Sequence, residues 1–370
     1  MTARASNAVG VGVIGAGFIS GQYLANLSQF PDVIVHAVAD IDEDRARAQA
    51  AKYAVPRGGA IDAVLSHPDV ELVVNITIPA VHVSVSTAIL ESGKHVWTEK
   101  PLAIDRESGR LLLDLAEARG RRIGSAPDTI LGQGLQSAQR WIERGGIGTP
   151  LSAVTLMQDP GVELWHPNPD FVYAKGAGPL FDRGPYYYAM LAQFFGPFDA
   201  VAAVGTKATE TRTVGSGPRA GQVFPVEVFT NVQVISRFTG GQVAQSAYSY
   251  ESPFKRHGWV EISGTEGAIR VPDPNYFTGE IGLTAYGSGS WTTIPAPRFD
   301  AERGTGVVDM ARSIRSGRPH RASAELGYHV LDAMIATEES LTTRSMVTVG
   351  SSAPHLEPLP EDWDPFAATL

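Results

Sequence analysis

The sequence predicts an α/β fold joined to an α+β domain. A doubly wound parallel sheet is expected in residues 1–125, and a large, open, mostly antiparallel sheet in residues 126–370. Three observations carry this. Ala8 to Asp40 reads as strand, tight glycine turn, helix, strand. Unbroken apolar strands then alternate with helical stretches as far as Ser125, the pattern of a parallel sheet covered on both faces. Beyond Ser125 the apolar runs alternate with polar residues (Val226, Val228 against Glu227; Val232, Val234 against Gln233), as in strands with one wetter face.

In the first domain Val9, Val11, Val13 and Ile14 form a strand that Gly15-Ala16-Gly17-Phe18-Ile19-Ser20 breaks. Leu24 and Leu27 recur at helical spacing until Phe30-Pro31-Asp32, and Val33 to Ala39 is a second strand ending on Asp40. Asp42 to Tyr53 is a charged, alanine-rich helix whose opening acids suit the helix dipole. Val55 to Gly59 reads as a loop, and Ala60 to Leu65 as a short helix closed by His67-Pro68-Asp69. Leu72 to Ile76 is a buried strand that delivers Thr77-Ile78-Pro79. His82 to Glu91 is a helix ended by Ser92-Gly93, and His95-Val96-Trp97 is a strand delivering Thr98-Glu99-Lys100-Pro101. A helix from Asp105 to Arg119 and a strand from Arg122 to Ser125 complete the domain.

The second domain opens with a helical stretch from Gly132 to Arg144. Strands are expected at Leu151 to Met157, Val201 to Thr209, Val226 to Phe238, Val243 to Tyr250 and Trp259 to Ile262. Gly264-Thr265-Glu266-Gly267 has the composition of a hairpin turn. Gly184 to Phe195 is an aromatic-rich helix with Pro185 at a permissive first-turn position. Val307 to Ser316 and Ser323 to Arg344 are closing helices, and a tail with Pro354, Pro358, Pro360 and Pro365 is an extended strap. The open sheet offers a face on which a homodimer or homotetramer can form.

At 370 residues and 43% hydrophobic, the chain can fill two cores. A net charge of −9 argues against nucleic acid or an anionic membrane as partner. The absence of cysteine excludes a disulfide framework, a thiolate metal site and a thiol nucleophile. No two histidines have metal-ligand spacing, so no metal is expected. Met1 to Asn7 is short and polar, without a signal-peptide core. No apolar stretch is long enough to span a bilayer, and a soluble, cytoplasmic protein is expected.

The residues from Ala8 to Asp40 have the shape of a dinucleotide-binding, Rossmann-type βαβ unit. Gly15 permits the sharp turn, and Gly17, followed by Phe18 and Ile19, lets the backbone approach a pyrophosphate at the helix N-terminus. Ser20 is a small residue in place of a third glycine. Asp40 falls roughly 20 residues after the turn, where a carboxylate accepts hydrogen bonds from an adenosine ribose, with Ile41 beside it. That carboxylate would repel a 2′-phosphate, which favours NAD over NADP, while the nearby Arg45 keeps NADP open as an alternative. Thr77, Pro79, Glu99 and Lys100 lie at the carboxyl edge where doubly wound folds bind ligands, and His82 is a further candidate cofactor contact there.

The glycine turn, the Glu99-Lys100-Pro101 strand end and the later Asp182-Arg183-Gly184-Pro185-Tyr186 resemble the glucose–fructose oxidoreductase / inositol dehydrogenase / MocA family, in order and over essentially the whole chain. The resemblance implies an NAD(P)-dependent oxidoreductase acting on a hydroxyl-bearing carbon of a sugar, glycoside or cyclitol. It also places Lys100 in the active site, where an ammonium can bond the nicotinamide ribose and a substrate oxygen and lower the pKa of a neighbouring acid. The family pattern has an Asp, a Gly two on and a His two beyond. Asp182 and Gly184 match, but Tyr186 stands where His is commoner. A phenol ordinarily titrates at about 10 and needs a neighbouring cation to serve as a base, and glucose–fructose oxidoreductase is similar in using tyrosine there. Tyr186 is therefore expected to transfer the proton and Asp182 to hold the substrate hydroxyls. At most two of the consecutive Tyr186, Tyr187 and Tyr188 can face a cleft, so the rest must pack. Trp165, His166 and Asn168, on a loop stiffened by Pro167 and Pro169, are candidate substrate contacts, as is Asp128. Two other readings use the same residues: NAD-assisted glycoside cleavage through transient sugar oxidation, and a non-catalytic NAD or sugar sensor. Retention of Lys100 and Asp182 speaks against the sensor.

Overall fold

The computed structural model describes residues 5–294 and 302–370, so residues 1–4 of the polar start lie outside it. The first stretch contains β1 (Val9–Ile14), α1 (Ser20–Leu27), β2 (Val33–Ala39), α2 (Glu43–Lys52), β3 (Arg57–Gly59), α3 (Asp62–Leu65), β4 (Leu72–Asn75), α4 (His82–Glu91), β5 (His95–Thr98), α5 (Arg106–Ala118) and β6 (Ile123–Ser125). Its six strands form one sheet in the order β3-β2-β1-β4-β5-β6, parallel throughout. Chain order reverses at β1, which pairs with both β2 and β4, and a doubly wound fold binds ligands at the carboxyl ends beside such a reversal. Val9, Val11 and Val13 of β1 and Leu72, Val73 and Val74 of β4 are fully buried, as a sheet covered on both faces requires. Asp42 and Asp105 cap α2 and α5 by accepting the N–H groups of Arg45 and Ser108.

One expectation fails here. Val55 to Gly59 reads as a loop, yet Arg57–Gly59 pairs with Ala37–Ala39 as the edge strand. Two of its three residues are glycines with no strand propensity, so the neighbouring ladder imposes the conformation. Gly58 is required by α2: a Cβ there would lie 2.8 Å from the Arg47 Cα.

The chain continues with α6 (Gln133–Glu143), β7 (Pro150–Gln158), α7 (Asp170–Tyr173), α8 (Gly178–Phe195), β8 (Phe198–Thr206), β9 (Thr211–Thr213), β10 (Val223–Pro225), β11 (Asn231–Phe238), β12 (Val243–Ser249), β13 (Arg256–Gly264), β14 (Gly267–Val271), β15 (Ile281–Ala285), β16 (Thr292–Ile294), α9 (Thr305–Ser316), α10 (Ala324–Thr343) and β17 (Val347–Thr348). A nine-stranded sheet runs β16-β15-β14-β13-β7-β12-β11-β8-β17, and β9 pairs with β10 apart from it. The large sheet is antiparallel except for the parallel β12–β7 pair. Gly264 and Gly267 bracket the β13–β14 turn, as their composition suggests.

Two further elements differ from expectation. Val226 to Phe238 is not one strand, because the backbone of its first part bonds elsewhere: Val226 N–H to the Glu210 carbonyl and Glu227 N–H to the Tyr173 carbonyl. Helix α8 starts at Gly178 rather than Gly184, with Pro179 in its first turn and Pro185 inside it. Pro185 forgoes one backbone hydrogen bond, but Leu180, Tyr187, Tyr188, Met190 and Leu191 are all buried, and that packing carries the helix through.

The chain divides into two compact units. The first holds the described residues within Met1–Gly132, Phe299–Leu331 and Leu356–Leu370; the second holds Gln133–Arg298 and Asp332–His355. This differs from the expected division at residue 125. The first unit runs on to Gly132 and takes back α9, the start of α10 and the proline tail. Buried Asp32 is the reason. Its Oδ2 accepts Arg312 Nε of α9 at 2.7 Å and the Thr369 hydroxyl at 2.7 Å, and its Oδ1 accepts Thr369 N–H at 2.9 Å. Arg312 also donates to the carbonyls of Asp364 and Ala367. These bonds join residues from 52 to 337 positions apart, separations no local pattern reveals.

Candidate active site

At the ligand edge of the parallel sheet, Gly15 has φ +110°, and a Cβ there would stand 2.6 Å from the Ile76 carbonyl oxygen. Only glycine serves at such a position. A Cβ on Gly17 would instead meet nothing within 4 Å, so the space above the turn is open. Ser20 Oγ closes the turn by donating to the Gly17 carbonyl at 2.6 Å. Helix α1 has no side-chain N-cap. Phe18 and Ile41 are almost fully exposed.

Asp40 ties the end of β2 to this turn. Its Oδ2 accepts Ala16 N–H at 2.7 Å, and its Oδ1 accepts Asp42 N–H at 2.9 Å and Arg45 Nη2 at 3.0 Å. Burial opposes ionisation, but the two N–H groups and the Arg45 cation together hold its carboxyl below the usual carboxylate range. Arg45 is thus engaged by Asp40. An open glycine cradle, a helix start without a side-chain cap and an ionised acceptor at the end of β2 together fit a dinucleotide.

The neighbouring loops are cross-braced. Buried Asn75 accepts the Thr77 hydroxyl at 2.7 Å and donates to the His82 carbonyl and Ser86 Oγ, both at 3.0 Å. The His82 imidazole is itself buried, with Nδ1 2.8 Å from the Pro101 carbonyl and Nε2 3.1 Å from that of Thr77. Each ring nitrogen thus faces one backbone carbonyl, and the ring spaces the Thr77–Pro79 and Lys100–Pro101 loops. Its expected direct contact with a cofactor gives way to this clamp. Glu99 Oε1 accepts the Tyr23 hydroxyl at 2.9 Å, and Oε2 accepts Lys100 N–H at 3.1 Å. Trp97 Nε1 donates to the same Tyr23 oxygen at 3.1 Å. Burial, then the Glu99 charge, raises the Tyr23 phenol well above its ordinary value, so it stays a donor.

Asp128 needs a correction. It is completely buried, and its Oδ2 accepts the N–H groups of Gly304 at 2.9 Å and Gly306 at 3.2 Å at the start of α9. Arg303 Nη1 stands 3.6 Å from Oδ1, beyond hydrogen-bonding reach, and burial prevails to raise the carboxyl pKa. The sequence made it a candidate substrate contact at the start of the second domain; its bonds here cap α9.

In the second unit, α8 carries Asp182 and Tyr186 one turn apart, hence on one face. Asp182 Oδ2 accepts the Tyr250 hydroxyl at 2.6 Å and lies 3.3 Å from Arg183 Nε. Arg183 Nε makes no aligned hydrogen bond, so that pair acts through charge. Burial, then the Asp182 charge, keeps the Tyr250 phenol well above its ordinary value and protonated. Tyr187 accepts Gly258 N–H at 2.9 Å, while Tyr188 pairs with Thr337 Oγ1 at 2.7 Å and stacks on Phe198. Both pack, which leaves Tyr186 as the tyrosine on the Asp182 face.

Trp165 is exposed, and the His166 ring meets the edges of Trp165 and Phe171 at 5.5 Å each. His166 Nδ1 accepts Asn168 N–H at 3.0 Å, and Asn168 Oδ1 accepts Arg219 Nη1 at 3.3 Å. Beneath this loop Arg212 pairs with Glu163 at 2.5 Å and Glu251 at 2.8 Å and donates to the Tyr250 carbonyl at 3.0 Å. One guanidinium therefore holds both the loop base and the strand end bearing Tyr250. Tyr23, Tyr250 and Arg212 escaped sequence reasoning because their partners, Glu99, Asp182 and Glu163, lie far away along the chain. Among the described residues, no group of three metal-ligating side chains converges at either set.

The parallel sheet and its glycine cradle define a dinucleotide-binding protein of the Rossmann class. Residues 9–126 match the oxidoreductase family with NAD-binding Rossmann fold, and residues 135–270 match the GFO/IDH/MocA C-terminal domain. The chain belongs to the Gfo/Idh/MocA family of NAD-binding oxidoreductases. It is 28% identical over 366 residues to inositol 2-dehydrogenase 3 of Saccharopolyspora erythraea, covering 92% of this chain and 95% of that protein. Identity to trans-1,2-dihydrobenzene-1,2-diol dehydrogenase of Bos taurus is 25% over 309 residues, covering 82% and 86%. The fold of levoglucosan dehydrogenase in complex with NADH and levoglucosan matches at a TM-score of 0.79 and 23% identity, covering 93% and 99%.

Proposed function

We propose that this protein is a dehydrogenase of a cyclic polyol (a sugar, glycoside or cyclitol) that uses NAD, with Lys100 and Tyr186 handling the hydroxyl proton. One observation carries this reading: α8 sets Asp182 and Tyr186 one turn apart, with the Asp182 carboxylate held by Tyr250 at 2.6 Å. That pairing gives an acceptor for one hydroxyl beside a phenol for another. The relatives' names lend support, since inositol and dihydrobenzenediol are both rings bearing adjacent hydroxyls.

Gly15, Gly17, Phe18 and Ile19 would hold the pyrophosphate, and Asp40 and Ile41 the adenosine ribose. Thr77, Pro79, Glu99 and Lys100 would face the nicotinamide end, with His82 fixing their loops. NAD, when bound, supplies the hydride acceptor. In the oxidative direction Tyr186 would act as its phenolate, taking the substrate O–H proton to become the phenol, and the Lys100 ammonium would stabilise the negative charge that builds on the substrate oxygen. Asp182 accepts a hydrogen bond from the adjacent hydroxyl and fixes the ring. Trp165, His166 and Asn168 contribute further substrate contacts.

The open face of the nine-stranded sheet is our candidate for self-association. Val154, Val204, Ile235 and Trp259 are exposed on that one face, an apolar set suited to a second copy. Sedimentation of an Ile235→Lys variant should give a smaller species than the parent; identical sizes would remove this face from consideration. For the activity, inositols, anhydrosugars and aldoses are screened by NADH absorbance. Turnover of at least one ring polyol is expected. NADH binding with no turnover of any would leave a sensor instead.

A further inference from the structure

Strand β2 holds one residue more than β1 can pair. The register steps from Val11↔Val35 to Gly12↔Ala37, so His36 is the inserted residue, and such a bulge re-aims the side chain it carries. Its ring centroid lies 5.1 Å from that of His67, on the segment between α3 and β4, with the planes 30° apart. Asp69 completes a trio in which one ligand atom from each residue lies within 4.8 Å of the other two. Gly10 makes the room: a Cβ there would stand 1.6 Å from the Asp69 carbonyl oxygen and 3.1 Å from His36 Cδ2. Lys94 fixes the segment from below, donating to the carbonyls of His67 at 2.9 Å and Val70 at 2.6 Å.

We propose that His36, His67 and Asp69 form a binding site for one divalent transition metal ion, zinc or a near neighbour, separate from the nucleotide edge. Two imidazoles and a carboxylate are a three-ligand set for such ions, with water in the remaining position. Ligand atoms at ~2.1 Å around a tetrahedral ion stand roughly 3.4 Å apart. The gap closes by side-chain rotation, because Asp69 is exposed and both histidines are partly so. Binding through His67 Nδ1 would replace the 3.2 Å hydrogen bond it now accepts from Asp69 N–H. The trio lies beside Gly10, near the amino end of β1, whereas nucleotide ligands bind at the carboxyl end. A metal there would pin the β2 bulge to the α3–β4 segment and stabilise the first unit by mass action.

The test uses untagged, full-length protein stripped with EDTA and titrated with zinc chloride, followed by calorimetry and by the thermal unfolding midpoint. One ion per chain and a rising midpoint are expected. The Asp69→Asn variant should bind at least about tenfold more weakly, and the double variant His36→Gln/His67→Gln should not bind. Unfolding midpoints in EDTA confirm that the variants fold, and the exposed Asp69 keeps the test open if the histidine pair does not tolerate change. His166→Gln, outside the trio, should bind like the parent. No binding by the parent, or variants that bind as well as it does, overturns the assignment.

Discussion

The carboxylates of the two units are held in different ways. In the first unit backbone N–H groups share the work with side chains: Asp40 accepts two of them beside Arg45, and Glu99 accepts that of its own neighbour, Lys100, beside the Tyr23 hydroxyl. In the second, Asp182 is held by side chains, Tyr250 from 68 residues away and the adjacent Arg183. Backbone donors come with the fold, so the bonds from Ala16, Asp42 and Lys100 N–H are in place once the glycine turn and strand order are set. Side-chain donors are chosen residue by residue, so the α8 site can change its partner without changing its scaffold.

Lys100→Ala should break this contrast most severely. The Lys100 N–H bond to Glu99 survives while the ammonium is lost, so NADH binding should persist while turnover falls by ~10²–10⁴. Fluorescence titration with NADH alongside initial rates checks both halves, and a variant that loses NADH binding as well would make Lys100 structural. Asp40→Ala comes next. Removal of the ionised acceptor should lower the preference for NAD over NADP by roughly ten- to a hundredfold, in line with a lost charge-assisted hydrogen bond of about 1.5–3 kcal/mol. An unchanged ratio of kcat/KM for the two cofactors would count against that role.

Tyr250→Phe sharpens the other side of the comparison. It deletes one hydroxyl and leaves Asp182 with the Arg183 charge, so kcat/KM for the polyol should fall about tenfold with NADH affinity unchanged. Equal losses for both ligands would mean that Tyr250 supports the fold rather than the site. The last effect concerns stability. Burial, then the cations of Arg121 and Arg122, lowers the His95 pKa to about 4, and its Nδ1 accepts Arg122 N–H at 2.9 Å. The unfolded imidazole titrates at about 6.5, so between about 6.5 and about 4 the unfolded chain binds the extra proton. Stability from this group is therefore complete above pH 6.5 and drains away as pH falls toward 4, by ~3 kcal/mol at most. Urea midpoints compared at neutral and mildly acidic pH should fall less for His95→Gln than for the parent; parallel declines would assign the pH dependence elsewhere.

The same contrast explains what the sequence could disclose. The parallel sheet was legible because its strands are unbroken apolar runs between helices, and helix His82–Glu91 even has the bounds expected of it. Asp40 was legible because its spacing from the glycine turn is fixed by the βαβ geometry. Strand Arg57–Gly59 was not, since only its neighbour makes it a strand. Nor was the return of α9 and the tail to the first unit, which depends on Asp32, Arg312 and Thr369 meeting across the chain. Asp128 misled for a related reason: its place in sequence pointed to a cleft, while its partners are the N–H groups of Gly304 and Gly306. Asp182 and Tyr186 were legible as a motif, and Tyr250 was not.

The most direct test of the proposed chemistry is the rate of NADH formation in a single turnover by Tyr186→Phe with saturating NAD and a turned-over ring polyol. A fall of at least about a hundredfold, with NADH affinity and the unfolding midpoint unchanged, is the result predicted. A rate within a factor of about two of the parent would contradict proton transfer by Tyr186.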